Sequence, residues 1–132
     1  MRWYLDTSAA LKLAVAEAET AALVAAIDHE RPELVASILL ETEMRRAAAR
    51  AEELSQGTVS HVLDGISLFE MARSTYWAAG VLPGRHLRSL DALHLATAST
   101  LDVDAVVTYD LRMADAAESL GLTVLAPGLD AG

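Results

Sequence analysis

Residues 2–8 read Arg-Trp-Tyr-Leu-Asp-Thr-Ser. The bulky residues Arg2–Leu5 are typical of a short strand, and Asp6 with Thr7 ends it. The segment Ala-Val-Val-Thr-Tyr-Asp at 105–110 has the same design, an apolar strand that ends in polar residues. A helical pattern follows each of them directly. A short buried strand, a polar end and then a helix form the repeating unit of parallel α/β sheets.

The rest of the chain continues this alternation. The predicted strands are Arg2–Leu5, Leu34–Ala36, Ile66–Phe69, Ala105–Val107 and Leu122–Leu125. The predicted helices cover 8–15, 20–29, 37–53, 59–63, 70–79, 90–101 and 111–120. Thr20 and Ser37 are predicted N-caps, and Gly121 suits the position after a helix end. The segment 56–84 has the weakest pattern, and Pro83 marks a loop within it. We therefore expect an α/β fold.

Length and composition exclude several classes of protein. The chain has 132 residues, which suits one domain; we place it at 1–127, before a flexible tail at 128–132. It has no cysteine, which excludes disulfides, zinc-thiolate sites and thiol nucleophiles. Its longest uncharged stretches have eleven residues, whereas a membrane-spanning helix needs about twenty. Because Asp6 also interrupts any signal-peptide core, we expect a soluble cytoplasmic protein with no membrane partner.

The charge balance is strongly acidic. Nineteen Asp and Glu residues outnumber ten Lys and Arg residues, giving a net charge of −9. Nonspecific nucleic-acid binding depends on Lys and Arg that neutralise phosphates, so composition alone argues against it. An acidic surface suits a basic partner or bound cations instead.

Three aspartates lie at or near the ends of predicted elements. Asp6 and Asp110 follow strands, and Asp91 opens the helix that precedes the strand at 105–107. Aspartate is a preferred N-cap, so capping alone explains Asp6 or Asp110. Ser89 is an equally good cap for the helix at 90–101, which leaves Asp91 without that explanation. If all three meet at one edge, their charges repel unless a cation lies among them, and oxygen ligands favour Mg²⁺ or Mn²⁺.

A fourth acid is expected from the helix that begins near Ser37. Its apolar stripe consists of Leu40, Met44, Ala47 and Ala51. Glu43 lies about 60° from the centre of that stripe, so it can border the core. Glu41 lies about 100° away on the other side, four residues before Arg45, and is better explained as a surface ion-pair partner. The helical geometry therefore favours Glu43.

Four segments match motifs of a known family. Residues 6–9 (Asp-Thr-Ser-Ala) are similar to its opening motif, and 37–46 (Ser-Ile-Leu-Leu-Glu-Thr-Glu-Met-Arg-Arg) to its second. Residues 87–98 (Leu-Arg-Ser-Leu-Asp-Ala-Leu-His-Leu-Ala-Thr-Ala) resemble the third motif, and 106–110 (Val-Val-Thr-Tyr-Asp) the fourth. In this order they resemble PIN-domain ribonucleases, especially the VapC-type toxins of bacterial toxin–antitoxin pairs. In the second motif the match selects Glu43 and Arg46; Glu41, where relatives often have a neutral or basic residue, keeps the choice between the two glutamates open.

The resemblance implies a fold and an activity. The fold is a single PIN-like domain with about five parallel strands in the order 3-2-1-4-5. The activity is endonucleolytic cleavage of RNA that arrests growth, with one or two Mg²⁺ or Mn²⁺ ions held by the catalytic carboxylates Asp6, Glu43, Asp91 and Asp110. The implied partners are an RNA substrate, a cognate antitoxin with a basic segment, and a second copy of the chain in a homodimer.

Two further groups of residues have two explanations each. The hydroxyls of Thr7, Ser8 and Thr108 could orient the carboxylates, or could serve as caps. The guanidinium groups of Arg46, Arg85, Arg88 and Arg112 could position phosphates, or could form surface ion pairs. For His94, three residues after Asp91, we favour packing or hydrogen bonding over a direct role.

Two alternative functions stay open. A PIN nuclease can serve RNA processing outside a toxin–antitoxin system, but the short single-domain chain favours the toxin. A PIN-like module can also bind or regulate without catalysis, and the presence of all four acids argues against that alternative.

Overall fold

A five-stranded parallel sheet forms the centre of the computed structural model, which describes residues 1–129. The strands are β1 (Arg2–Leu5), β2 (Glu33–Ser37), β3 (Ser67–Phe69), β4 (Ala105–Val107) and β5 (Val124–Leu125). The helices in the described part are α1 (Thr7–Ala14), α2 (Thr20–Glu30), α3 (Leu39–Arg50), α4 (Gln56–Asp64), α5 (Arg73–Gly80), α6 (Ser89–Thr100) and α7 (Leu111–Ser119). None of these helices is long and apolar enough to cross a membrane.

The strand order is β3-β2-β1-β4-β5, and every pair is parallel. The predicted α/β class and the order 3-2-1-4-5 are therefore confirmed. In the register, Trp3 of β1 lies opposite Leu34 of β2 on one side and Ala105 of β4 on the other. The ends of these three strands therefore lie side by side at one edge, where parallel α/β folds place their sites.

The two faces of β1 pack against different helices because side chains alternate along a strand. Trp3 and Leu5 face one way and pack with Leu23 of α2. Tyr4 faces the other way, in a cluster with Ala98 of α6. All of these side chains are buried, so the central strand is covered on both faces.

The segment 56–84 has more helix at its start than its sequence pattern suggested. Helix α4 begins at Gln56 rather than 59, because the Ser55 hydroxyl accepts a hydrogen bond from the Thr58 amide and caps it. Helix α5 begins at Arg73 rather than 70. The strand in this segment is Ser67–Phe69; Ile66 is buried just outside it.

Three residues proposed as N-caps from the sequence do not occupy the cap position. Thr20 is the first residue of α2 rather than its cap, because its hydroxyl donates to the Lys12 carbonyl at 2.7 Å. Ser89 lies inside α6, with Arg88 at the cap position. Ser37 belongs to β2, although its hydroxyl does accept from the Leu39 amide in the first turn of α3.

Several element boundaries also differ from the predicted ones, most of them by a single residue. Helix α3 stops at Arg50 rather than 53, because the backbone at Ala51 is extended. Strand β5 is shorter than predicted, covering Val124–Leu125. Helix α7 ends at Ser119, one residue before the predicted end, and Gly121 follows it as predicted: its φ is +81°, and its amide donates to the Glu118 carbonyl.

The described part of the chain ends with a turn at Ala126–Leu129, in which the Leu129 amide donates to the Ala126 carbonyl. Gly128 has a φ of +86°, and a Cβ there would come within 2.8 Å of the Ala22 Cβ on α2. Glycine thus allows the turn to lie against α2. Of the predicted flexible tail at 128–132, residues 130–132 lie outside the described residues, and the tail stays a prediction.

Candidate active site

Asp6 lies directly after β1, at the centre of the carboxyl edge of the sheet. It is 4% exposed and is the N-cap of α1: its Oδ1 accepts the Ala9 amide at 3.0 Å and the Ser8 hydroxyl at 2.7 Å. Its Oδ2 accepts the Thr108 hydroxyl at 2.6 Å. Burial raises the pKa of Asp6 above its ordinary value, and the hydrogen bonds from Thr108 and Ser8 oppose that rise.

Two of the predicted hydroxyl residues connect the ends of β1 and β4. The Thr108 hydroxyl accepts the Asp110 amide at 3.1 Å while it donates to Asp6. The Ser8 hydroxyl accepts the Tyr109 amide at 2.9 Å while it donates to the same carboxylate. Each hydroxyl thus bonds to both segments, which fixes the orientation of the Asp6 carboxylate.

Asp110 lies after β4 and caps α7. Its Oδ1 accepts the amides of Arg112 at 2.9 Å and Met113 at 3.3 Å. The capping explanation considered from the sequence thus applies to both Asp6 and Asp110. The capping hydrogen bonds are accepted by Oδ1 of each residue.

Asp91 lies in the first turn of α6 and is partly buried. Its carboxylate does not cap the helix, whose cap position is Arg88. Burial raises the pKa of Asp91, and the negative charges of Asp110, Asp6 and Glu43 raise it further. The charges of the other three predicted acids therefore oppose ionisation of Asp91.

Glu43 is bound to a buried polar chain that crosses the sheet edge. Its Oε1 lies 2.5 Å from His94 Nε2, and His94 Nδ1 lies 2.6 Å from the Tyr4 hydroxyl. The Tyr4 hydroxyl in turn accepts the Ser37 amide at 3.1 Å. Four elements (α3, α6, β1 and β2) thus meet in one set of hydrogen bonds.

The hydrogen-bond partners of Tyr4 and His94 indicate which group donates in each of these bonds. Burial raises the pKa of Tyr4, so its hydroxyl keeps its hydrogen. Because the Tyr4 oxygen already accepts the Ser37 amide, its hydrogen is directed to His94 Nδ1. The hydrogen on His94 Nε2 then donates to the Glu43 carboxylate. His94 therefore holds Glu43 in place, in agreement with the hydrogen-bonding role expected from the sequence.

Glu41 lies on the other face of α3. Its Oε2 pairs with Arg45 Nε at 3.0 Å, and 43% of its side chain is exposed, against 21% for Glu43. The predicted Glu41–Arg45 pair is confirmed. Glu43, rather than Glu41, is the glutamate that bonds to His94 and whose charge raises the pKa of Asp91.

Three of the four predicted arginines lie within three residues of a predicted site acid in the chain; the fourth is Arg85. Arg46, Arg88 and Arg112 are exposed, and none of them forms an ion pair with a carboxylate within residues 1–129. The surface ion-pair alternative therefore has no support there. Their guanidinium groups are available to an anion from outside the chain.

The donor set suits a hard cation such as Mg²⁺ or Mn²⁺, because it consists of carboxylate oxygens. Within the described residues, no three His, Asp or Glu side chains are already arranged as a set of metal ligands. The bonds from Ser8, Thr108 and His94 described above engage several of the oxygens. Thr7, next to Asp6, has a buried Oγ1 without a hydrogen-bond partner in this part of the chain, as expected where an ion or water completes a polar site.

Tyr4 is the site residue that sequence reasoning missed. A tyrosine in a central buried strand needs a partner for its hydroxyl, and that need was the available signal. The partner, His94, is 90 positions away in the chain. No local pattern could have identified it.

Known proteins share this arrangement of strands and helices. The family model described as PIN domain matches residues 3–119. Ribonuclease VapC35 of Mycobacterium tuberculosis is 42% identical over 131 residues, covering 95% of this chain and 96% of that protein. Ribonuclease VapC46 of the same species is 41% identical over 126 residues, covering 94% and 96%.

Two solved structures share the fold. One is VapBC2 from Rickettsia felis bound to a DNA fragment of its promoter, with a TM-score of 0.71, 11% identity and coverage of 95% and 98%. The other is a toxin–antitoxin complex from Klebsiella pneumoniae, with a TM-score of 0.72, 17% identity and coverage of 94% and 96%. The family model covers most of the chain, and the relatives match over nearly its full length. On these grounds, the chain belongs to the PIN domain family.

Proposed function

We propose that this chain is a metal-dependent endoribonuclease that acts as the toxin of a toxin–antitoxin pair. The observation that carries the proposal is that Asp6 and Asp110 follow the paired strands β1 and β4, and that their charges and that of Glu43 act on Asp91. Four like charges in one place are unfavourable unless a cation offsets them. The likeness to proteins named ribonuclease supports RNA as the substrate.

In this proposal Asp6, Glu43, Asp91 and Asp110 hold one or two Mg²⁺ or Mn²⁺ ions. A bound ion of this kind lowers the pKa of a water and offsets charge on the phosphate during hydrolysis. Thr108 and Ser8 orient Asp6, and His94 orients Glu43, so that neither carboxylate must reorganise when substrate binds. Arg46, Arg88 and Arg112 contact phosphates of the RNA backbone.

The proposed partner is an antitoxin with a basic segment. The two structural neighbours are described as VapBC2 and as a toxin–antitoxin complex, which supports a protein partner of this class. With a net charge of −9, the chain offers an acidic surface to such a segment. A homodimer, also implied by the family resemblance, belongs to the same proposal.

The test is cleavage of mixed RNA by the purified protein in Mg²⁺, in Mn²⁺ and in EDTA. We expect cleavage with either metal and none in EDTA. Asp91→Asn should lose at least about 100-fold in rate, a typical effect of removing one group that stabilises transition-state charge. The matched control is Asp28→Asn, an exposed aspartate on α2, which should cleave like wild type.

The alternatives give different results in the same experiment. Cleavage in EDTA at the wild-type rate contradicts the metal dependence. No cleavage under any condition favours the non-catalytic module. Induced expression separates the two nucleases: a toxin arrests growth and Asp91→Asn does not, whereas a processing nuclease leaves growth unchanged.

A further inference from the structure

A cavity of about 520 Å³ lies beside the acid cluster, between the segment 82–87 and helix α7. Its apolar part is formed by Leu82, Leu87 and Leu95. Arg85 and Arg112 also line it, as does the carboxylate residue Asp115. The volume is within the range typical of small-ligand pockets. An apolar floor with two cations at its rim suits a ligand that has a flat apolar part and a negative charge.

None of the four proposed catalytic acids lines the cavity, but two residues that do are close to Asp91 and Asp110 in the chain. Leu95 lies four residues after Asp91 on α6, so the two side chains are on the same face of that helix, one turn apart. Arg112 lies two residues after Asp110 at the start of α7. A polymeric substrate bound at the carboxylates could therefore extend into the cavity.

The two arginines are not explained by the protein's own charges. Neither Arg85 nor Arg112 forms an ion pair with a carboxylate within residues 1–129, although the chain has nearly twice as many acids as bases. Arg112 is also in the first turn of α7, where a cation opposes the helix dipole. Since no carboxylate within the described residues pairs with them, both guanidinium groups can bind an external anion, although Asp115 places one negative charge in the same cavity.

We propose that this cavity binds the nucleotide next to the scissile bond of a single-stranded RNA, with its base on the leucine floor and its phosphate between Arg85 and Arg112. The inference rests on the ribonuclease function proposed above and deepens it by locating a substrate subsite. Arginine suits this position because its planar guanidinium can bind a phosphate with two hydrogen bonds.

Binding of a fluorescent ten-nucleotide RNA of mixed sequence, measured by anisotropy in EDTA, tests the subsite without cleavage. For single strands, the slope of log K against log salt concentration changes by about 0.7 for each phosphate that the protein neutralises. Arg85→Ala/Arg112→Ala frees one phosphate, so it should lower the slope by about 0.7 and weaken binding at least tenfold at low salt. The control is Arg31→Asn, before β2 at the opposite edge of the sheet, where asparagine tolerates the φ of 49°. Arg31→Asn should have the same slope of log K against log salt concentration as wild type.

The role of the leucine floor is tested with an abasic oligonucleotide of equal length and charge. It should bind wild type at least fivefold more weakly than the RNA does. Equal affinity for the two probes, or equal salt slopes for the double variant and Arg31→Asn, would overturn the proposal. So would a change in sedimentation mass of the double variant with unchanged RNA affinity, because the cavity would then be a contact between copies of the chain.

The outcome can be separated from failure of the proposed function. If wild type cleaves RNA and the double variant has an unchanged salt slope, the subsite is wrong and the nuclease function stands. If wild type does not cleave under any condition, the nuclease function fails, while the binding measurement in EDTA still reports on the cavity. Melting temperatures of both variants confirm that they are folded.

Discussion

The two faces of helix α3 use the same residue type in opposite ways. On the outer face, Glu41 pairs with Arg45, and both side chains are partly exposed. On the inner face, two residues further along, Glu43 is held by His94, which is 2% exposed at its side chain. A surface pair of this kind contributes little to stability, because water competes for both charges. The side chain of Glu43 is less exposed than that of Glu41, so water screens its charge less and it acts more strongly on neighbouring charges.

The strongest way to test this contrast is to neutralise each glutamate in turn. We expect Glu43→Gln to lower the rate of RNA cleavage at least about 100-fold, because it removes a charge proposed to hold the metal. Glu41→Gln should change the rate by less than about threefold, because its partner is a surface arginine. The two variants differ by two positions on one helix, so each is the other's control. Equal losses would show that the faces do not differ in function.

The next effect concerns the stability of the inner hydrogen-bond chain. Tyr4→Phe removes the hydroxyl that accepts the Ser37 amide and bonds His94, leaving buried polar groups unpaired. We expect a loss of about 1–3 kcal/mol in the free energy of unfolding, measured by urea denaturation. Tyr76→Phe is the matched control, since Tyr76 is 51% exposed, and should change stability by less than about 0.5 kcal/mol. If both variants have the same free energy of unfolding, the hydrogen bonds through His94 do not contribute to stability.

Titration of the carboxylates gives a smaller effect with a defined sign. The pKa values of Asp6 and Asp91 are raised by burial. Above the unfolded-state pKa of about 4, the folded protein binds these protons more tightly than the unfolded chain does. The stability of the metal-free protein should therefore fall as pH rises from about 4 through the raised pKa values of the folded state.

Asp91→Asn should reduce this fall and raise the melting temperature of the metal-free protein at neutral pH. Thermal unfolding in EDTA across pH 4–8 measures the melting temperature and its change with pH, with Asp28→Asn as the exposed control. A melting temperature for Asp91→Asn that is lower than that of wild type at neutral pH would contradict the proposed charge repulsion.

The smallest effect is expected from the outer face. Arg45 bonds Glu41, Gln56 and Ser60, and all of these contacts are near the surface. A double-mutant cycle of Glu41→Gln with Arg45→Ala should give a coupling of about 0.3–0.5 kcal/mol by urea denaturation. A coupling above about 1.5 kcal/mol would mean that the outer pair is as strongly held as the inner chain.

The features that could be predicted are those set by residues that are close to one another in the sequence. Asp6 and Asp110 cap helices because a strand end followed by an aspartate places its oxygen near the next amides. The choice of Glu43 over Glu41 as the core-bordering residue followed from the 100° turn per residue of a helix. In the segment 56–84, by contrast, single caps such as Ser55 moved the boundaries, and no apolar period was strong enough to locate them.

Local sequence accounts for the alternation of strands and helices, the capping aspartates and the face of α3 on which each glutamate lies. These features depend on residues within about four positions of one another, where the backbone period fixes the geometry. The tertiary structure alone decided the partners: Thr108 for Asp6, Tyr4 and His94 for Glu43, and a cavity beside Arg85 and Arg112. These groups meet because the parallel register of β1, β2 and β4 aligns strand ends that are far apart in the chain, and that register is set by packing of the whole sheet.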